Sequence, residues 1–242
     1  MDTSKMKLAT ILFLMLVLAV SGYKAYQYNS PSLVIQVNGD PYHTQHYAEA
    51  NINILDKKGK KVVLFGDSII YGWKFPNTIN GYMLVNRGIN GETTDALIGR
   101  FTKDVIQIKP QYVVILAGIN DAATIYEADP NGVDLQIQKI VSNIRLMAEN
   151  AKEKGIAPIV CSVLPVNDKY RLPVQDFNEI VIRLNKELES MTKVEGMIYI
   201  NFWSIVVDQN TGMLKSDYSK DGIHPSEQAY QQMWNLLVPR LK

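Results

Sequence analysis

The sequence predicts an α/β protein: a three-layer α/β/α sandwich with a flavodoxin-like, doubly wound sheet of about five parallel strands. Its 242 residues, of which 47% are hydrophobic, can bury the core of one main domain. Apolar strand runs alternate with segments of helical spacing, which is the pattern of parallel sheets. The strand runs are almost wholly apolar, as expected where helices cover both faces. Right-handed crossovers and short loops then favour the doubly wound arrangement.

Five apolar runs predict the strands of this sheet. In chain order they are residues 62–65 (VVLF), 82–85 (YMLV), 112–116 (YVVIL), 157–164 (APIVCSVL) and 197–200 (MIYI). In doubly wound sheets, ligands bind at the carboxyl ends of the strands. We therefore expect functional side chains directly after these runs.

Two long amphipathic helices are predicted between the strands. The first covers residues 134–154, with Gly155 as its stop signal, and the second covers about residues 177–191. Their apolar positions, three and four residues apart, are Ile137, Ile140, Val141, Ile144, Met147, Ala148 and Ala151 in the first, and Phe177, Ile180, Val181, Leu184, Leu188 and Met191 in the second. A short helix is also expected through residues 46–55, before the first strand.

Residues 1–29 are predicted to be a signal peptide or an N-terminal membrane anchor. Lys5 and Lys7 precede an apolar run over residues 8–20, which is shorter than the roughly 20 residues of a comfortable membrane span. Small residues around Ala19 favour cleavage, whereas the tyrosines and lysine that follow favour an uncleaved anchor, and both alternatives remain open. Either places the main domain outside the cytoplasm. Because no cysteine follows the run, we exclude a lipoprotein anchor.

Residues 30–60 are predicted to form a linker with the short pre-domain helix, and residues 61–242 to form the main domain. His43 and His46, in "HTQH", could be read as two metal ligands, but no nearby cysteine or clear carboxylate set completes a site. A solvated pre-domain segment is the preferred interpretation. We predict no metal and no cofactor.

Charge and cysteine content exclude several classes of partner. The formal net charge is +1 with no large basic patch, so we expect no nucleic acid binding, and membrane contact only through the N-terminal segment. The single cysteine, Cys161, excludes an internal disulfide and a cysteine-rich zinc site. Since it lies in an apolar run, it is predicted to be a small buried hydrophobic residue. The sequence leaves the oligomeric state open.

The end of the first strand carries the tripeptide "GDS". Ser68 could present its hydroxyl as a nucleophile at the rim of a site, with its own N–H turned toward developing negative charge. Alternatively, Asp67 or Ser68 could simply cap a helix. Trp73, a few residues later, could line a substrate entrance or fill the core.

The next two strand ends carry possible donors to a negatively charged oxygen. Gly88 and Gly91 follow the second strand, and a glycine lets a backbone N–H approach a ligand or satisfies a positive φ. Asn120 follows the third strand; its side chain could donate to an oxyanion or form an Asx turn.

Near the end of the chain, "DGIHP" combines a histidine with a carboxylate. Pro225 is predicted at the first position of the terminal helix, which puts His224 at or near the N-cap. Asp221, three residues before His224, could hold its Nδ1–H and stabilise the imidazolium. The alternative is a turn histidine with Asp221 as a capping residue.

The segments "GDSI", "NRGINGETT", "GIND" and "DGIHP" occur in this order between Lys61 and the end of the chain. Together they resemble the SGNH hydrolases, also called the GDSL esterase and lipase family. The resemblance implies that Ser68 is the nucleophile of a triad with Asp221 and His224. It also implies an oxyanion hole formed by the Ser68 and Gly91 N–H groups and the Asn120 side chain.

Gly91 is preferred to Gly88 because the family's glycine directly precedes an acidic residue and a threonine, here Glu92 and Thr93. Two departures from the family pattern are visible. Ile69 replaces the leucine of "GDSL", and Glu92 replaces the usual aspartate. Neither of these residues is a reacting group.

The implied function is that of a serine esterase that acts on carboxylic esters. "VLPVN" before "FNEIVIRLNKEL" resembles the lysophospholipase-like and platelet-activating-factor acetylhydrolase-like esterases, which favours short acyl or lysophospholipid-type esters. A carbohydrate or cell-wall glycan O-deacetylase or O-acyltransferase is the enzymatic alternative, so the partner is a small-molecule or glycan ester. A surface ligand-binding module is the non-enzymatic alternative; its sequence would lack a triad member, and none is missing here.

Overall fold

The computed structural model describes residue 40, residues 42–128 and residues 132–242, and Asp40–Lys242 form one compact unit. The predicted signal or anchor over residues 1–29, and the linker up to residue 39, lie outside the described residues. Among those described, no helix is both long and apolar enough to cross a membrane.

A mixed sheet forms the centre of this unit. The described residues contain six strands in the order β2-β3-β1-β4-β5-β6. The strands are β1 (Lys60–Gly66), β2 (Thr78–Ile79), β3 (Tyr82–Gly88), β4 (Tyr112–Leu116), β5 (Ala157–Cys161) and β6 (Ile198–Ile200). All neighbours pair in parallel except β2, which lies antiparallel at the edge. The five predicted parallel strands are confirmed; β2, with two residues, is too short to show a periodic pattern.

The order of the strands determines where a site can form. Strand β1 lies between β3 and β4, so the chain builds the sheet outward from β1 in both directions. Residues 62–65 of β1 are fully buried because helices cover both faces of the sheet. A doubly wound sheet opens a crevice where its winding reverses, here beyond the carboxyl ends of β1, β3 and β4.

The helices connect and cover these strands. They are α1 (Ala48–Leu55), α2 (Ser68–Tyr71), α3 (Thr94–Phe101), α4 (Ile119–Ala128), α5 (Val133–Glu153), α6 (Val174–Val194), α7 (Trp203–Val206) and α8 (Glu227–Leu237). A π-helical turn, Thr102–Ile106, extends α3, and short 3₁₀ turns lie at Ser216–Tyr218 and Val238–Arg240. Every apolar position predicted to face the core from α5 and α6 is buried.

Helix α8 begins later than the sequence predicted. Its N-cap is Ser226, whose hydroxyl accepts a hydrogen bond from the Ala229 amide at 3.4 Å. Pro225 instead lies in a β-bridge with Ser219. Serine is a preferred N-cap residue, and Ser226 occupies the N-cap position that the sequence predicts for His224. The histidine therefore lies in the preceding loop, two residues before the cap.

Cys161 is the last residue of β5 and is buried, as predicted. Burial without a charged partner raises the pKa of its thiol well above its usual range. It therefore packs as a small apolar residue.

Candidate active site

Ser68 is the first residue of α2, directly beyond the carboxyl end of β1. Asp67 is the N-cap of this helix, and its Oδ1 accepts a hydrogen bond from the Ile69 amide at 2.9 Å. The backbone of α2 lies so close to β3 that a Cβ on Gly88 would stand 2.1 Å from the Tyr71 nitrogen. Gly88 is therefore needed for close packing, which fixes the turn that presents Ser68.

His224 lies between Ser68 and Asp221. Its Nε2 is 2.9 Å from Ser68 Oγ, and its Nδ1 is 2.7 Å from Asp221 Oδ2. A carboxylate can only accept, so Nδ1 carries the proton and Nε2 is left to accept from the serine hydroxyl. His224 thus links the other two side chains that the sequence singled out by a hydrogen bond to each, although Ser68 and His224 are 156 positions apart in sequence.

The Asp221 carboxylate is held by its own loop. Its Oδ1 accepts from the amides of His224 at 2.9 Å and Ile223 at 3.1 Å, and from the Ser219 hydroxyl at 3.1 Å. Partial burial alone would raise the pKa of Asp221, but the hydrogen bonds from the His224 ring and the two amides hold it well below its usual range. The carboxylate therefore stays ionised next to the imidazole.

Gly91 and Asn120 face the same opening from the ends of β3 and β4, the two strands that flank β1. Gly91 has φ +76°, and a Cβ there would meet nothing within 4 Å, so its conformation, not its space, requires glycine. Asn120, in the first turn of α4, donates from Nδ2 to the Glu92 carbonyl at 2.9 Å. The Asn120 amide has a second N–H, which remains for a ligand. The Gly88 amide, by contrast, already donates to Asn86 Oδ1 at 2.9 Å.

A cleft of about 550 Å³ collects these groups. Four of the predicted residues line it: Ser68, Gly91, Asn120 and His224. Tyr71, Tyr170, Arg171 and Tyr230 also line the cleft. These four residues belong to no motif, so the sequence alone does not predict them. Tyr230 reaches the cleft from α8 and donates to the Ile69 carbonyl at 2.7 Å.

A buried cation supports the strand ends below the cleft. The guanidinium of Arg100, fully buried on α3, donates to Glu92 Oε2 at 2.5 and 2.8 Å and to Asp104 Oδ2 at 2.8 Å. It also donates to the carbonyls of Gly66 at 3.1 Å and Arg87 at 3.0 Å. One side chain thus joins the ends of β1 and β3 to the residue after Gly91. The sequence signal was the Arg100–Asp104 spacing, which surface helices also show.

Asp67 adds an unusual carboxyl group next to Ser68. Its Oδ2 is buried without a hydrogen-bond partner among residues 40, 42–128 and 132–242. Burial raises the pKa of Asp67 to about 7, and the nearby carboxylates of Asp121 and Glu92 act in the same direction. The surroundings of Asp67 therefore favour its protonated form far more than water does.

Comparisons with known proteins support this architecture. A solved GDSL-like lipase from Bacteroides thetaiotaomicron is 30% identical with a TM-score of 0.71, over 83% of this chain and 97% of that one. An acetylxylan esterase from Geobacillus stearothermophilus shares the fold, with 16% identity, a TM-score of 0.62, and coverage of 77% of this chain and 96% of the esterase.

A curated relative matches a shorter stretch. YqeF, an uncharacterized lipoprotein of Bacillus subtilis, is 35% identical over 92 residues, which is 37% of this chain and 37% of the relative. The chain thus aligns with little more than a third of that relative's length. The family description GDSL-like Lipase/Acylhydrolase matches residues 64–232, well over half of the chain. The chain therefore belongs to the GDSL-like lipase/acylhydrolase family, as its motifs predicted, and this places it among the serine hydrolases that act on ester bonds.

Proposed function

We propose that this chain hydrolyses carboxylic esters of the short acyl or lysophospholipid type through an acyl-enzyme on Ser68. The observation that carries the proposal is the arrangement around His224, with Ser68 Oγ at 2.9 Å from Nε2 and Asp221 Oδ2 at 2.7 Å from Nδ1. This is the geometry of a nucleophile, a general base and a group that orients the base.

In the first half of the reaction, Ser68 Oγ attacks the ester carbonyl carbon while His224 Nε2 takes the hydroxyl proton. The carbonyl oxygen becomes an oxyanion, which the N–H groups of Ser68 and Gly91 and the free N–H of Asn120 stabilise. His224 then gives its proton to the leaving alcohol as the carbon–oxygen bond breaks. The acyl group is now bonded to Ser68.

In the second half, water attacks the acyl-enzyme and His224 takes the proton from that water. The tetrahedral intermediate collapses, the bond to Ser68 Oγ breaks, and the serine recovers its proton from His224. Asp221 remains ionised throughout, which fixes the imidazole tautomer and stabilises the transient imidazolium.

Replacement of the nucleophile tests this proposal. Ser68→Ala should lower turnover of 4-nitrophenyl acetate by at least about 10⁴-fold, because no acyl-enzyme can form. A fluorophosphonate should label wild type at Ser68, located by peptide mass spectrometry. Ser204→Ala, at an exposed serine of α7, is the matched control and should keep wild-type activity and labelling. Labelling of another residue in wild type would contradict the assignment.

The proposed location is outside the cytoplasm, either secreted or anchored through residues 1–29. Two lysines and the apolar run support export, and the relative YqeF is described as a lipoprotein. In this chain the single cysteine is Cys161, inside β5, so a lipoprotein anchor is not part of the proposal. Membrane contact would come only from the N-terminal segment.

An adjoining pocket favours a second candidate function, the removal of an acyl group from a sugar. This pocket, of about 350 Å³, shares Gly72, Pro225 and Tyr230 with the cleft. Apart from Pro76, its other lining residues combine aromatic rings with polar groups: Trp73, Phe75, Trp234, Lys74, Glu227 and Gln231. Aromatic faces next to hydrogen-bonding groups suit a sugar ring better than an acyl chain, which offers the polar groups no partner.

The two candidates differ in their dependence on this pocket. Trp234→Ala should raise KM for an acetylated oligosaccharide about tenfold if the sugar binds there, and should leave 4-nitrophenyl acetate hydrolysis unchanged. Equal KM values of wild type and Trp234→Ala for the oligosaccharide would show that the sugar does not bind in this pocket. Trp203→Ala, on α7 outside the pocket lining, is the control.

A further inference from the structure

We propose that His43 and Tyr47, which precede the sheet in sequence, are positioning residues for the oxyanion hole. They hold the loop over residues 88–92, which carries Gly91. This inference rests on the proposed function, because it takes the Gly91 N–H as an oxyanion donor. The sequence predicts a solvated pre-domain segment here, but His43 and Tyr47 of this segment contact the loop.

His43 reaches a buried carboxylate next to Gly91. Its Nδ1 lies 3.0 Å from Glu92 Oε1, and the Glu92 side chain is 1% exposed whereas that of His43 is 48% exposed. The backbone carbonyl of Glu92 accepts the Asn120 side chain at 2.9 Å. One residue, Glu92, thus links His43 to two of the three proposed oxyanion donors.

The two oxygens of Glu92 have different partners. Arg100 donates twice to Oε2, and in the described part of the chain His43 is the side chain that satisfies Oε1. A buried carboxylate oxygen that loses its partner costs free energy, so without His43 the loop would shift to hydrate or re-pair it. The side chain of His43 therefore completes the set of contacts that fixes Glu92.

Tyr47 holds the other end of the same loop. Its hydroxyl donates to the Gly88 carbonyl at 2.5 Å, and its ring lies 4.6 Å from the guanidinium carbon of Arg87. Asn51, one turn further along α1, accepts from Arg87 Nε at 2.8 Å. The two ends of the loop are thus both bonded to residues of one short segment.

The backbone at His43 indicates which substitution can replace it. Its φ is +47°, in the left-handed region that asparagine tolerates better than most residues. The side-chain nitrogen of asparagine is also bonded to Cγ, so it lies about as far from Cα as Nδ1 of histidine does. His43→Asn therefore keeps both the backbone conformation and a donor, whereas His43→Ala loses the donor.

A displacement of Gly91 should reduce the stabilisation of the transition state and leave the binding of the substrate in its ground state unchanged. Oxyanion donors act on an oxygen that becomes negative only as the reaction proceeds, and their effect depends on placement within about 0.5 Å. The loss of His43 should therefore lower kcat and leave KM unchanged. A boronic acid, which bonds to Ser68 Oγ as a tetrahedral anion, reports the same geometry without turnover.

The experiment compares full-length wild type, His43→Ala and His43→Asn with 4-nitrophenyl acetate and phenylboronic acid. His43→Ala should lower kcat and boronate affinity by the same factor, about tenfold, with KM within about twofold. His43→Asn should recover most of both. A rise in KM alone, or a fall in thermal stability with kcat and boronate affinity unchanged, would overturn the proposal.

Tyr47→Phe provides a second variant that removes one oxygen and should fold. It should lower kcat severalfold. Its matched control is Tyr82→Phe, which should leave kcat unchanged. The Tyr82 hydroxyl also donates to a backbone oxygen, that of Lys242, but at the opposite end of β3. Equal kcat values for the two variants would count against Tyr47. Ser68→Ala in the same assay separates the two proposals. If Ser68→Ala stays active, the proposed function fails. If Ser68→Ala is inactive but His43→Ala and Tyr47→Phe match wild type, only the positioning role fails.

Discussion

The two halves of the candidate site are held in different ways. Gly91 and Asn120 are fixed through Glu92 to the buried Arg100 network, where Glu92 and Arg100 are almost fully removed from solvent. Asp221 and His224 belong to an exposed loop, with side chains 54% and 46% exposed, and are held by hydrogen bonds within that loop.

The difference corresponds to what each half must do. Oxyanion donors stabilise charge only if they are already in place, so a rigid, buried support suits them. The general base exchanges protons with a leaving alcohol and with water, so it must stay accessible. Substitutions in the buried support should therefore cost stability, whereas substitutions in the exposed loop should cost activity alone.

The largest effect is expected in the exposed half. Asp221→Asn should lower kcat/KM about 10³- to 10⁴-fold, because an amide facing Nδ1 favours the wrong imidazole tautomer. The asparagine oxygen can still accept from the amides of Ile223 and His224, so the loop should persist and the unfolding temperature should change little. Esterase assays and thermal unfolding on the same preparation measure both.

The pH profile sharpens this prediction. Because the pKa of Asp221 is well below its usual range, its carboxylate is ionised in all assays above about pH 5. Titration of Asp221 should therefore not appear as a limb of the wild-type kcat/KM profile. Retention of a tenth of wild-type turnover by Asp221→Asn would mean that another group orients His224.

Substitutions in the buried half should lower the free energy of unfolding. Arg100→Leu should lower the free energy of unfolding by about 3–5 kcal/mol, because it leaves Glu92 and Asp104 as buried charges without their partner. Arg183→Leu is the matched control: its ion pair with Asp134 is exposed on both sides, so it should cost less than about 1 kcal/mol. Denaturant unfolding compares them, and similar losses would show that burial adds nothing to the Arg100 network.

Asn120 lies where the buried support meets the substrate. Asn120→Ala should lower kcat about a hundredfold, equivalent to about 3 kcal/mol of lost oxyanion stabilisation, with little change in the free energy of unfolding. Thr124→Ala, one turn further along α4 at an exposed position, should match wild type. Equal activity of Asn120→Ala and wild type would remove this amide from the oxyanion hole.

The smallest effect concerns Asp67 and depends on pH. Its raised pKa of about 7 means that the folded state holds a proton that the unfolded state has released above about pH 4. The stability that this proton contributes is complete below about pH 4 and is lost as pH rises through about 7. Asp67→Asn cannot ionise, so its unfolding temperature relative to wild type should rise by a few degrees from pH 5 to pH 8. A constant difference would mean that Asp67 is already ionised at pH 5.

Much of this architecture could be predicted from the sequence. The apolar runs predicted all five parallel strands, and the spacing in residues 134–154 predicted the buried face of α5 because helical periodicity records burial directly. Ser68, Gly91 and Asn120 were singled out because they follow strand ends, and Asp221 and His224 because a carboxylate precedes a histidine by three residues. The structure places Ser68, Gly91, Asn120 and His224 around one cleft, with Asp221 hydrogen-bonded to the His224 ring.

The supporting contacts were harder to predict. Arg100 and Glu92 look like ordinary surface charges in the sequence, and only the tertiary structure shows that both are buried. The start of α8 was placed too early because Pro225 and Ser226 are both good initiating residues, and local preference alone did not decide between them. His43 attracted notice only as a possible metal ligand in "HTQH", and nothing in the sequence linked it to Glu92, 49 positions away.

The burial of Cys161 has a practical consequence for spectroscopy. It is the chain's single thiol, and in the strand it is shielded from solvent. Thiol-specific dyes and spin labels should therefore leave the folded protein unmodified. Ile52→Cys, at an exposed position of α1, would provide one addressable label without removal of a native cysteine. The motion of the segment that carries His43 and Tyr47 could then be followed directly during turnover.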